Sequence, residues 1–219
     1  MAEMFLDRVD AGRRLADELR GRVAADTVVL AIARGGVPVG GEAALALGLL
    51  LDVVFPRKLP IPWNPEAGFG AVTSDGTIVL NDALVGEVGL TKSQVNAIAA
   101  EVRREIERAE LALRRKWPEI SVVGKEVVVV DDGLASGYTM LAAVQAARRS
   151  GARRNVAAVP VASEAAVRLI GGSADELVCL IESHNLPFAV ADYYAVWHDV
   201  SDKEALEYLG KVQHSSRNR

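Results

Sequence analysis

The sequence predicts an α/β fold, an open parallel sheet covered by helices on both faces. Three observations predict it. Short runs such as TVVLAIA and VVVV are apolar without alternation, as strands buried on both faces are. They alternate with helical patterns of about ten residues, the arrangement of right-handed crossovers. At 219 residues, 50% hydrophobic and 25% charged, the chain suits a single domain, residues 1–219, with a full core.

The elements follow in order. Leu6 to Arg20 carries Leu6, Val9, Leu15 and Leu19 at helical spacing and stops at Gly21. Thr27 to Ala33 is the first strand, broken by Arg34-Gly35-Gly36. Pro38 to Leu47 reads as a small-residue helix and Leu49 to Phe55 as the second strand. KEVVVVDD, ending at Asp132, is the third strand, and a helix follows from about Thr139 to Ser150. NVAAVPVA, a helix from about Glu164 to Ile170, and ELVCLIE complete a core spanning roughly residues 25–182.

Residues 56–118 form an insertion too long for a simple crossover. It opens with the proline- and glycine-rich RKLPIPWNPEAGFG and continues as a hairpin, AVTSDGTIVL, with Asp75-Gly76 as a two-residue turn. Thr91 and Gln94 form a capping box for a helix whose stripe Val95, Ile98, Val102, Ile106, Ala109 and Leu113 runs towards Pro118. Its Arg103, Arg104, Arg108, Arg114 and Arg115 alternate with glutamates and read as a solvated face.

Composition and spacing exclude several classes. A net charge of −4 gives no whole-molecule attraction to nucleic acid or to an anionic membrane, so neither is an expected partner. The N-terminus mixes charges throughout, and no apolar run reaches the roughly eighteen residues a bilayer needs. Cys179 is the sole cysteine, which rules out an internal disulfide and fits a reducing compartment; the expectation is a soluble, cytoplasmic protein. Gly36 to Gly41 lacks the Lys-Ser/Thr of a P-loop, no G-x-G-x-x-G follows the first strand, and Ser136 lacks the flanks of a hydrolase elbow. His184, His198 and His214 show no metal-ligand spacing and read as surface histidines.

VVVVDDGLASGYTM, Val127 to Met140, is different. A buried strand has no use for Asp131 and Asp132 at its end, because an unpaired carboxylate near a core is costly. The turn after them opens a helix, where backbone N–H groups and the helix dipole favour phosphate. Gly133 and Gly137 let the backbone approach a ligand, and Ser136 and Thr139 add hydroxyls. Two carboxylates are acceptors for a vicinal diol, so a sugar bearing both a phosphate and free hydroxyls satisfies both halves. A capped helix with surface aspartates would explain either feature alone, but not the two together.

This stretch resembles the phosphoribosyl-pyrophosphate (PRPP) motif of the type I phosphoribosyltransferases. The resemblance implies that Asp131 and Asp132 hold the ribose hydroxyls and, through these or water, Mg2+. It implies that Gly133 and the loop Ala135, Ser136, Gly137, Tyr138 and Thr139 wrap the 5′-phosphate. ARGG, Ala33 to Gly36, resembles the family's pyrophosphate loop, which often holds a non-proline cis peptide, so Ala33-Arg34 is expected to be cis. In an open sheet ordered 2-1-3-4-5 the ends of strands one and three flank the point where ligands bind, placing Arg34, Gly35 and Gly36 across a crevice from Asp131. Arg57 and Lys58, ending strand two, are either surface charges or, as the resemblance implies, groups that reach the pyrophosphate from the far side, with Arg34 and Lys58 as the catalytic cations. The insertion takes the place of the family's flexible loop.

The tail, residues 183–219, corresponds to the family's hood, and its Phe188, Tyr193, Tyr194 and Trp197 offer faces either to a heterocycle or to one another. The function implied is transfer of ribose 5-phosphate between PRPP and a nucleobase-like acceptor with Mg2+, usually by a homodimer. The alternatives are a PRPP- or nucleotide-sensing regulator and, more distantly, a hydrolase of phosphorylated sugars. Ala135 stands where 6-oxopurine enzymes of the family carry an aspartate, which disfavours hypoxanthine and guanine and leaves proton handling to a residue such as Glu66, Asp192 or Asp199.

Overall fold

The computed structural model describes residues 4–217, with side chains through Gln213, so the side chain of His214 lies outside the described residues. In chain order the elements are α1 (Arg8–Leu19), β1 (Val28–Ile32), α2 (Gly36–Leu47), β2 (Leu50–Val54), β3 (Arg57–Ile61), β4 (Asn64–Val72), β5 (Ile78–Leu80) and α3 (Asp82–Glu87). There follow α4 (Lys92–Arg114), β6 (Glu126–Val130), α5 (Tyr138–Arg149), β7 (Arg154–Ser163), α6 (Glu164–Gly171), β8 (Glu176–Ser183), a 3-10 turn at Val190–Tyr193, and α7 (Asp202–Arg217).

The five core strands form a parallel sheet ordered β2-β1-β6-β7-β8, the 2-1-3-4-5 order expected. Every residue of β1 and of β6 is buried, because alternate side chains serve opposite faces and both faces are covered. Val29, Ala31, Val128 and Val130 pack with α1, α2, α4 and α7, while Val28, Leu30, Val127 and Val129 pack with α5 and α6. Gly12 lets α1 settle on α2, since a Cβ there would lie 2.6 Å from the carbonyl oxygen of Val39.

The opening helix differs in its register from the expected stripe. Its buried residues are Arg8, Ala11, Gly12, Leu15, Ala16 and Leu19, and Leu6 lies outside it, exposed. A charged residue therefore occupies the core-facing stripe.

The insertion is more regular than its prolines suggest. RKLPIPWNPEAGFG is not an irregular loop but the β3–β4 hairpin, and with β5 it makes a second, antiparallel sheet ordered β3-β4-β5. Pro60 is tolerated because β3 is an edge strand of this sheet and its register shifts on either side of that residue. The turn between β4 and β5 is also longer than the two residues expected. Thr73 N–H donates to the Thr77 carbonyl at 3.0 Å and Gly76, at φ +84°, to that of Thr73 at 3.1 Å, which encloses Ser74-Asp75-Gly76. Asp75 stabilises the longer loop by accepting from the Thr77 N–H at 3.0 Å, from the Thr77 hydroxyl at 2.7 Å, and from the Thr73 hydroxyl.

α4 begins with the predicted Thr91–Gln94 capping box. It stops at Arg114, short of Pro118, and Arg114 is not part of a solvated face. Its Nη1 donates to Asp52 of β2 at 2.6 Å, and Asp52, only 3% exposed at its side chain, also accepts from the Ile120 N–H at 2.9 Å. This ion pair ties the end of the insertion back to the sheet.

Candidate active site

β1 and β6 are neighbours, so the loops leaving their carboxyl ends meet. The approach is close enough to require glycine. A Cβ on Gly35 would lie 2.1 Å from Asp132 Oδ2, and one on Gly36 would lie 2.6 Å from the Val130 carbonyl oxygen. Ala33-Arg34, just before these glycines, is a cis peptide, as the ARGG resemblance implied.

Asp131 and Asp132 follow β6 and face different partners. Asp131 Oδ1 accepts the Asp132 N–H at 2.9 Å. Asp132 Oδ2 accepts from Nε and Nη2 of Arg8, each at 2.8 Å, and the Tyr194 hydroxyl donates to the Asp132 carbonyl at 2.6 Å. Burial raises the pKa of both acids. The charge of Asp132 pushes Asp131 further, well above the ordinary carboxylate value, while Arg8 draws Asp132 back down.

The loop beyond is held from behind. Leu134 exchanges backbone hydrogen bonds with Val161 and Ser163 at the end of β7, and the Ser163 hydroxyl donates to the Ala135 carbonyl at 2.7 Å. Gly133 lies against Val190, and Gly137, at φ +82°, is the N-cap of α5 without any side-chain capping bond. The first N–H groups of α5, from Tyr138 and Thr139, are thus presented at an uncapped helix terminus. The motif contributes no cap of its own there, which leaves the position to an anion.

Two cavities adjoin these loops and share Arg34 and Arg57. The larger, about 880 Å³, is lined by Arg34, Arg57, Lys58, Asp131 and Thr139. The smaller, about 280 Å³, is lined by Arg34, Arg57, Asp132, Trp197 and Asp199. The structure therefore brings the ends of β1 and β6 and the start of α5 to one crevice, together with Arg57 and Lys58, which do not end strand two as expected but open β3 of the second sheet, two residues beyond β2. The Arg57 guanidinium has its pKa lowered by burial and by the charge of Arg34. Two guanidinium groups held close in this way favour an anion between them. Lys58 donates to the Glu66 carbonyl at 2.9 Å, and Arg34 lies 3.5 Å from Asp202 at the start of α7.

Most hood aromatics pack on one another. Phe188 and Tyr193 have ring centroids 5.6 Å apart, Tyr194 and Trp197 5.1 Å, and Phe5 and Tyr194 5.4 Å. Of Phe188, Tyr193, Tyr194 and Trp197, only Trp197 lines the smaller cavity. Among the acids considered for proton handling, Asp199 shares that cavity with Asp132, Glu66 lies beside Lys58, and Asp192 is exposed in the 3-10 turn. His184 and His198 are exposed partners of Glu164 and Glu204.

Sequence reasoning missed Arg8. The signal was present, because Arg8 stands in register with Ala11, Leu15 and Leu19 on the buried face of α1. It also missed that the N-terminal segment joins the hood: the Phe5 N–H donates to the Tyr193 carbonyl and the Ala195 N–H to the Phe5 carbonyl, each at 2.8 Å.

No family model matches the chain. A curated protein found in two strains of Mycobacterium tuberculosis, named "Putative phosphoribosyl transferase", is 41% identical over 210 residues, 96% of this chain. The chain spans about half the length of that relative, 47%. The crystal structure of the TT1426 protein from Thermus thermophilus matches with a TM-score of 0.79 at 38% identity, over 95% of this chain and 98% of that one. The AQ2163 protein from Aquifex aeolicus, at 12% identity and a TM-score of 0.50, covers 82% of this chain and 77% of its own, and shares the fold.

Proposed function

The chain belongs to the type I phosphoribosyltransferase family, and on that premise we propose that it transfers ribose 5-phosphate between PRPP and a nucleobase-like acceptor. The observation that carries this reading is the convergence of Asp131, Asp132, the uncapped start of α5 and the cations Arg34, Arg57 and Lys58 on one crevice.

In this reading the 5′-phosphate sits on the N–H groups of the Ala135–Thr139 loop, with Gly133 and Gly137 allowing the close approach. Asp131 and Asp132 accept the ribose hydroxyls. The pyrophosphate lies towards Arg34, Gly35, Gly36, Arg57 and Lys58, and the acceptor enters from the hood side, beside Trp197 and Asp199. Displacement at the ribose C1 passes through a cation-like state. In this reading the protein supplies position, and Arg34, Arg57 and Lys58 neutralise the charge that grows on the departing pyrophosphate.

Mg2+ fits this donor set, since two adjacent, partly buried carboxylates beside a phosphate-gathering crevice are what a cation shared between protein and substrate requires. Asp131 and Asp132 would hold it indirectly, through ribose hydroxyls or water, and when bound it offsets charge on the pyrophosphate oxygens.

Pyrophosphate release from PRPP and Mg2+ across a panel of bases tests the reading. Turnover with at least one acceptor supports it, and PRPP binding with no turnover by any acceptor would instead mark a sensor. Ala135 cannot act as acid or base, so hypoxanthine and guanine should turn over poorly. A kcat/KM of about 10⁴ M⁻¹s⁻¹ or more for either base contradicts that assignment.

A further inference from the structure

Arg8 is the most heavily engaged charged side chain near the crevice, and the residues implied by the PRPP motif leave it without a role. Only 6% of its side chain is exposed. Nε and Nη2 both reach Asp132 Oδ2 at 2.8 Å, and Nη1 donates to the His198 carbonyl at 2.8 Å. Its guanidinium carbon lies 3.8 Å from the centroid of the Trp197 ring and 6.0 Å from that of Tyr194. Tyr194 in turn donates to the backbone of Asp132. One planar cation from α1 thus holds the second acid of the motif and one aromatic wall of the smaller cavity at once.

The other side of Asp132 Oδ2 is closed by Gly35, where a Cβ would stand 2.1 Å away. Oδ2 is therefore committed to the protein through its ion pair with Arg8. A lysine in place of Arg8 would keep the charge but not the fork, and it would lack the flat face that lies on Trp197. A hydrocarbon side chain would leave Asp132 with its ionic partner removed.

We propose that Arg8 is a positioning residue that orients Asp132 towards the ribose and joins that acid to Trp197, so that PRPP binding and the acceptor wall are set by one side chain. The proposal rests on the PRPP reading of the site. It predicts that PRPP occupancy is felt at Trp197 through Arg8, which simple packing of α1 against the hood does not require.

The test uses the full chain with Trp63→Phe and Trp117→Phe, which leaves Trp197 as the single tryptophan reporter. PRPP with Mg2+ is titrated into this parent and into its Arg8→Met and Arg8→Lys forms, with affinity and Trp197 emission both followed. The parent should bind PRPP with a change in emission. Arg8→Met should bind about 10- to 100-fold more weakly, the range for losing hydrogen bonds to a charged group, and should show no emission change on binding. Arg8→Lys should recover part of the affinity without recovering the emission response. Should Arg8→Met fail to fold, Arg8→Lys carries the test: affinity and emission response equal to the parent's would overturn the proposal. Equal PRPP affinity of Arg8→Met and the parent overturns it as well, with the PRPP reading left standing. No binding to the parent at all overturns the PRPP reading, and the proposal with it.

Discussion

Asp131 and Asp132 are neighbours whose carboxyls are both raised by burial, but to different extents. Arg8 stabilises the charge on Asp132, while Asp131 is pushed well up by burial and by Asp132 beside it. A folded-state pKa above the unfolded value of roughly 3.9 means that the native protein holds the proton more tightly. The stabilising contribution is then fully present below about pH 4 and is lost as pH rises through the folded pKa, so at neutral pH Asp131 costs stability. Asp131→Asn should therefore melt at a higher temperature than the native protein at pH 7, with the difference closing below about pH 4. Melting curves across that range check this, and an unchanged or lower Tm at pH 7 contradicts it. Both acids and the two glycines facing them were legible in the sequence, because carboxylates and glycines at a buried strand's end have few structural uses. Arg8 was not. Its partner lies 124 positions away, and only the register of α1 hinted that its side chain points inward.

At the scale of elements, the same limit appears at the end of α4. Five arginines along and just past that helix looked alike in sequence, yet Arg114 pairs with a buried aspartate in a strand otherwise read as apolar. Arg114→Met should lower stability by about 3–5 kcal/mol, because it leaves Asp52 buried without its ionic partner. Arg108→Ala, on the exposed face, should change it by no more than about 0.5 kcal/mol. Denaturant melts of the two variants separate these outcomes, and equal effects would contradict the assignment. The core strands and crossover helices were legible because continuous apolar runs and helical periodicity are local signals. The β3–β4 hairpin was hidden for an equally local reason: Pro60, Pro62 and Pro65 read as loop, and the tolerance of Pro60 depends on β3 being an edge, a property of the sheet rather than of the segment.

Across the whole molecule, a chain of net charge −4 concentrates Arg34, just past the end of β1, and Arg57 and Lys58, the first residues of β3, at one crevice. Strand order does this. With β1 between β2 and β6, three loops distant in sequence open onto one crevice at the point where the winding reverses. That much followed from the strand pattern, whereas the meeting of the chain's two ends, Phe5 beside Tyr194, is a long-range pairing with no local signature. Among the described residues no helix is long and apolar enough to cross a membrane. The central claim is that this crevice binds PRPP through the acid pair, and thermal unfolding with increasing PRPP in the presence of Mg2+ tests it most directly. A ligand that binds only the folded state stabilises it by about 2.7 kcal/mol at a hundredfold excess over Kd, so Tm should climb steadily with PRPP concentration. The Asp131→Asn, Asp132→Asn double variant should lose most of that climb. A native Tm indifferent to millimolar PRPP, or a double variant that responds as fully as the native protein, would contradict the account.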